Sequence, residues 1–167
     1  TKGHTSMNKL SLLSSFFVIF LFSSTLSFAQ IETKITASDA AAGDEFGESI
    51  DINGSLAIVG SALNDDNGSG SGSAYIYEWN GTTWIEIQKL TASDAAAGDN
   101  FGYSVSIDGN YAVVGSYLDD DNGTDSGSAY IFKRDGNNWL EEAKLTPGDA
   151  APFDHFGYSV AIHGEYA

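Results

Sequence analysis

The sequence contains no cysteine, two prolines and only seven basic residues among 167. Without cysteine no disulfide can staple the fold, so stability must come from packing or from a bound metal. With so few bases, 23 acidic side chains leave a formal net charge of −16. Such a surface repels nucleic-acid phosphates and anionic membranes, and neither is expected as a partner. Metal cations, neutral glycans and basic protein surfaces remain compatible with it. Helical periodicity is also missing: past residue 29, no window repeats its apolar positions every 3.6 residues. Aromatic residues are plentiful, with 10 Phe, 8 Tyr and 3 Trp. A disordered acidic tail would be depleted in them, so a folded domain is expected.

The one long apolar run, Leu10 to Leu26, follows Met7 and Lys9 and leads into Ser27-Phe28-Ala29. A basic start, an apolar middle and small residues before a cut site make a secretory signal peptide, with Met7 as start and cleavage after Ala29. Residues 1–29 are therefore read as upstream sequence plus signal peptide, and 30–167 as the exported chain. A transmembrane anchor is the competing reading. Ser14, Ser15, Ser23, Ser24 and Thr25 interrupt the run, and no basic stop-transfer cluster follows it. No membrane insertion is expected after cleavage, and the product should be secreted or held at the cell surface. The leader takes two of the seven bases and no acid, leaving the exported part at −18.

That part repeats itself. Lys34-Ile35-Thr36-Ala37-Ser38-Asp39-Ala40-Ala41-Ala42-Gly43-Asp44-Glu45-Phe46-Gly47 returns 55 residues later as Lys89 to Gly102, and again, diverged, from Lys144 to Gly157. Two repeats, 34–88 and 89–143, are complete, and 144–167 begins a third. Each holds four strand-like runs. Ser49-Ile50-Asp51-Ile52 and Ser104-Val105-Ser106-Ile107 alternate, giving one apolar face. Asn53-Gly54, Asp108-Gly109 and His163-Gly164 suit two-residue type I′ turns. Leu56 to Val59 and Tyr111 to Val114 are almost wholly apolar, as strands buried on both faces should be. Ala74 to Tyr77 and Ala129 to Phe132 form third strands. Asn80-Gly81 and Asp135-Gly136 then turn tightly into fourth strands bearing Trp84 and Trp139. Four antiparallel strands per repeat make a β-propeller blade, so the fold class is all-β. Ile58, Val59, Ile76, Val113, Val114 and Ile131 are expected in the core. A ring needs roughly 4–8 blades, so residues 30–167 are expected to form an incomplete ring, a fragment of a longer propeller.

Phe46-Gly47 followed by Val59-Gly60-Ser61, and Phe101-Gly102 followed by Val114-Gly115-Ser116, resemble the FG-GAP repeat. The likeness is to its bacterial secreted form, with the Lys-Leu-Thr-Ala-Ser-Asp opening and the Gly-Ser-Ala-Tyr third strand. It implies an integrin α-like propeller and spans residues 34–167. The integrin calcium loop between strands one and two does not carry over, because here that connection is too short to wrap an ion.

Antiparallel order puts connections 1–2 and 3–4 on one side of each blade, and connections 2–3 and 4–1 on the other. The second side carries the long Gly/Asp/Ser loops, and loops on a rigid scaffold are where binding usually sits. Within Asp119-Asp120-Asp121-Asn122-Gly123-Thr124-Asp125, the carboxylates of Asp119, Asp121 and Asp125 are candidate calcium ligands, since calcium takes six to eight oxygens. Asn64 to Gly70 offers the poorer set Asp65 and Asp66. The alternative is a solvated loop whose Asp and Asn side chains cap their own turns. Asp39, Asp44, Asp94, Asp99, Asp149 and Asp154 read as structural, bonding amides of the 4–1 connection. Phe46, Phe101 and Phe156 read as wedges between blades, and Trp84 and Trp139 as blade packing. His155 and His163 are unrepeated and no serine sits in a nucleophile elbow, so no catalytic residue is assigned. The chain is read as a non-catalytic binding or adhesion module, with a protein or glycan ligand on the 2–3 and 4–1 loop face. Two alternatives stand: the propeller of a secreted hydrolase or lyase whose catalytic residues lie outside 1–167, and an architectural spacer.

Overall fold

Gly54, Gly109 and Gly136 each reverse the chain within two residues, and two meanders grow from such turns. A computed structural model describes residues 32–164 and 166–167; the expected leader lies outside them. The first meander is β1 (Phe46–Asn53), β2 (Leu56–Ser61), β3 (Ser73–Trp79) and β4 (Trp84–Leu90). The second is β5 (Ser104–Asp108), β6 (Tyr111–Ser116), β7 (Ser128–Asp135) and β8 (Asn138–Leu145). Each forms a four-stranded antiparallel sheet in chain order, β1-β2-β3-β4 and β5-β6-β7-β8. No helix occurs among the described residues. These are two successive propeller blades in open array, and the third repeat has begun to dock on the second.

The turns depart from expectation in a way that register explains. Asn53 pairs with Leu56 and Asp108 with Tyr111, so Asn and Asp are strand residues and the turns are Gly54-Ser55 and Gly109-Asn110. Only the glycine has positive φ, +60° and +57°, which is the type II′ pattern and not type I′. Held in the strand, Asn53 donates from Nδ2 to Asp108 Oδ1 at 2.9 Å, one repeat away. The Asn80-Gly81 turn is wider than expected. Trp79 pairs with Trp84, leaving a four-residue loop in which Asn80 Oδ1 accepts the amides of Thr82 and Thr83, both at 2.9 Å.

The strand β2 is buried along its whole length because it has a neighbour on each edge and side chains on each face. Ile58 and Ile76 point toward the second sheet, where they meet Phe101, Val114, Tyr130 and Trp139 in one core. Val59, Tyr75 and Tyr77 point the other way and are covered by Ile35, Phe46 and Trp84. Full burial of each such side chain is worth about 1.5–3 kcal/mol. Trp139 is 2% exposed, and its backbone N–H and C=O are both bonded by the Gln88 amide, at 2.7 Å each, across the blade junction. Ile131 does not join the core. It lines a hollow with Tyr111, Leu145 and Ile162 on the flank toward the third repeat, where no described strand covers it.

The wedge position shows what a neighbour on each side does. Phe101, between two sheets, is 0% exposed, whereas its equivalent Phe156 is 36% exposed. Phe101 forms a parallel bridge with Gly72, its amide donating to Ser71 at 3.1 Å. The next carbonyl, Gly102, accepts from Ser49 Oγ at 2.8 Å. Phe156 and Gly157 repeat both contacts on Ser126 and Ser104. This approach leaves no room for side-chain carbon: a Cβ on Gly60 would lie 2.9 Å from the Gly102 carbonyl carbon and closer still to its oxygen. Gly60→Ala should therefore cost about 3 kcal/mol or more. Gly148→Ala, which meets nothing within 4 Å, should stay within about 0.5 kcal/mol of wild type. Denaturant midpoints of the two variants measure the contrast, and equal losses would contradict it.

Candidate functional site

Lys89 and Lys144 are the penultimate residues of β4 and β8, and both lysines reach up into the loop face. Lys144 Nζ donates to Asp94 at 2.8 Å, Asp119 at 2.9 Å and Asp121 at 2.6 Å. Lys89 repeats the arrangement on Asp39 at 2.6 Å, on Asn64 Oδ1 at 3.2 Å and on Asp66. Each ammonium lies over the ring of a β-strand tyrosine, Tyr130 at 5.2 Å and Tyr75 at 5.4 Å from the centroid. Those tyrosines in turn donate their hydroxyls to Asp94 and Asp39, both at 2.8 Å. Asp39 and Asp94 come from the connection that precedes each blade, so one lysine ties connection, 2–3 loop and outer strand together.

Burial opposes the charge on Lys144, but hydrogen bonds to Asp121, Asp94 and Asp119 outweigh it and raise its pKa above the usual lysine value. Burial likewise opposes ionisation of Asp94, and the bonds from Lys144 and Tyr130 overcome it, holding the carboxyl below its ordinary range. Asp39 behaves the same way with Lys89 and Tyr75.

The expected calcium ligands are distributed unevenly. Asp119 and Asp121 do converge, with oxygens that lie within 4.8 Å of one another and of Asp94. Asp125 is not in that group. Its backbone is left-handed, φ +51°, its amide donates to Asp120 Oδ1 at 2.6 Å, and its carbonyl accepts the His155 amide at 3.2 Å. In the first blade Asp66 joins Lys89, while Asp65 turns back to accept the Gly70 amide at 2.7 Å. Asp44, Asp99 and Asp154 each cap their own connection, accepting the amides of Ala41, Ala96 and Ala151 at 2.8–2.9 Å.

Beside these clusters, where β5 begins and β6 ends, four rings meet. Tyr103 lies 4.3 Å from Tyr117 and 5.0 Å from Tyr158, and His155 stands 5.5 Å from Tyr117. The Tyr103 and Tyr158 hydroxyls are bonded at 3.0 Å, which pushes Tyr103 up to about 12. In the first repeat the place of Tyr103 is taken by Glu48. Burial and then the nearby Glu45 raise the pKa of Glu48.

A family model described as FG-GAP repeat matches residues 30–77, 84–132 and 139–167. The chain belongs to the FG-GAP repeat family. No curated protein matches it. FG-GAP repeats often bind calcium, so the fit of that ion can be judged on Asp119. Its Oδ1 accepts the Asp121 amide at 3.1 Å and Ser128 Oγ at 3.1 Å. Its Oδ2 accepts Lys144 at 2.9 Å and lies 2.9 Å from the Tyr130 hydroxyl, whose one hydrogen it shares with Asp94. A carboxylate has about four lone-pair positions; three are taken by the Asp121 amide, Ser128 and Lys144, and the ammonium stands among the carboxylates where an ion would have to sit. The donor set with Lys144 in place does not fit calcium.

The lysines and tyrosines of this FG-GAP face escaped the sequence reading, although a signal existed for each. Lys34, Lys89 and Lys144 are three of only seven basic residues and recur at the 55-residue spacing. Tyr103 and Tyr158 recur at that spacing directly after Phe-Gly.

Two outcomes follow from the clusters. Asp119→Asn should cost little, since Asn64 already fills that place beside Lys89, whereas Asp119→Ala, which takes the buried acceptor from Ser128 and the Asp121 amide and one partner from Lys144, should cost on the order of 2 kcal/mol. Asp39 and Asp94, with folded pKa values below their ordinary 3.8, contribute stability that is complete above about pH 4 and is lost as pH falls through the folded values. An acid titration of thermal midpoints should show this loss in wild type and a smaller one in Lys144→Met.

Proposed function

We propose that the chain is an exported, non-catalytic binding or adhesion module that takes a protein or glycan ligand on the face of the 2–3 and 4–1 loops. The observation that carries this reading is the solvent-reaching group Tyr103, Tyr117, His155 and Tyr158. Tyrosine offers a flat apolar surface and a hydroxyl at small entropic cost, which is why it is favoured at recognition surfaces. The group sits on rigid ground, because Phe101 and Gly102, the residues just before Tyr103, are locked onto the preceding blade. The opposite face supports a ligand less well, with two-residue turns at Gly54, Gly109 and Gly136 and one four-residue loop. FG-GAP repeats are typical of extracellular or cell-surface proteins, which agrees with an exported chain. A net charge of −16 favours neutral glycans or basic protein surfaces over nucleic acid.

The test is a screen of the full chain on arrays of glycans and extracellular proteins, beside the Tyr103→Ser, Tyr117→Ser double variant with its fold checked by circular dichroism. The expected result is a ligand whose affinity falls at least about tenfold in the double variant, the loss of one or two stacking contacts. A ligand bound equally by both proteins would place the site elsewhere. Absence of any ligand would favour an architectural spacer, and turnover of a bound glycan would favour the hydrolase or lyase reading.

A further inference from the structure

In both complete repeats an ammonium occupies the point where connection and loop oxygens converge. We propose that Lys89 and Lys144 are the resident cations of the loop face, holding by covalent tether the position a divalent ion would take, so that the loops are ordered without calcium. Three independent features support this. The first is exclusion. Lys144 Nζ is 2.6–2.9 Å from the three carboxylates, and calcium would need the same centre at about 2.3–2.6 Å. Ion and ammonium cannot both be there.

The second is the pattern of charge in the two repeats. Asn64 stands where the second repeat has Asp119, and Lys89 keeps its place with one carboxylate fewer. A calcium site weakens as carboxylates are removed, because ligand charge sets its affinity. A single positive charge tolerates that loss, and two carboxylates still surround it.

The third is connectivity. The lysines that open the second and third copies of the Lys-x-Thr segment bond the aspartate of the preceding copy, Lys89 to Asp39 and Lys144 to Asp94, 50 residues apart both times. The cation therefore arrives with β4 or β8 when the sheet forms and pays no cost of association from solution. Serine from the same segment strengthens the dock: Ser38 and Ser93 donate through both amide and hydroxyl to Glu86 and Glu141 at 2.7–2.8 Å.

The experiment uses the full chain with calcium, and with terbium, a hard cation whose emission is excited by a neighbouring tyrosine such as Tyr130. Wild type should melt at the same temperature in chelator and in millimolar calcium, and give no terbium emission that Asp121→Asn abolishes. Lys144→Met should melt lower in chelator, recover part of that loss in calcium, and gain emission that depends on Asp121. Lys144→Arg, which keeps the charge, should remain indifferent to calcium. The proposal is overturned if calcium stabilises wild type and Asp121→Asn removes the effect, a result that needs no lysine variant to fold. It is overturned equally if Lys144→Met is as stable as wild type in chelator. A destabilised Lys144→Met that gains no emission would overturn the shared position of ion and ammonium.

Discussion

The backbones of Phe101-Gly102 and Phe156-Gly157 run against the preceding sheet with no side-chain carbon between them. Gly60 faces the Gly102 carbonyl, Gly72 faces Phe101, and Gly115 faces Gly157 in the same way. This close approach is what turns two separate meanders into a stack. It places Phe101 over Tyr130 and Phe132, with ring centroids 5.4 and 6.0 Å apart, and brings Ile58 and Ile76 of the first sheet into the same core. A methyl group at any of these glycines would push the sheets apart, and the apolar faces would lose contact together. Interiors packed to crystal density pass such a displacement on to their neighbours and do not absorb it.

From that junction the polar side of the molecule follows. Once Phe101 is bridged to Gly72, the connection before it lies along the 2–3 loop of the first blade, and Gly98 and Asn100 donate to Ser69 and Gly70 at 2.9 and 3.0 Å. Asp94 is then delivered beside Asp119 and Asp121, three carboxylates whose mutual repulsion would open the loop. Lys144 offsets it, and Tyr130 takes part of the remaining lone-pair capacity. A chain with 23 acids and seven bases thus spends its scarce lysines where like charges are forced together. The tyrosines at the start of β5 and the end of β6 inherit their rigidity from both contacts.

Much of this architecture was legible before any coordinates. The 55-residue offset, the alternation at Val105 and Ile107, the unbroken apolar run at Leu56 to Val59 and the Asn/Asp-Gly pairs state a four-stranded unit, because each reflects a local rule of strand burial or turn geometry. Less local features were not legible. The Asn53-Gly54 pair gave the turn but not its register, since Asn53 stays in the strand to bond Asp108 of the next repeat. Ile131 has the same apolar context as Ile76, yet its exposure depends on what packs against its sheet. The acidic loops read as calcium sites by composition; that an ammonium lies among Asp94, Asp119 and Asp121 depends on Lys144, a residue 25 positions from Asp119.

The sequence by itself determined the strands, the repeat and the family, because hydrophobic period, turn residues and the Phe-Gly spacing act over a few residues and are written three times. Only the tertiary structure decided which copies of a repeated residue are buried, which carboxylates face one another and which cation lies between them. Those outcomes depend on contacts between segments about 50 residues apart, and sequence spacing cannot state a distance that is set by how two sheets pack.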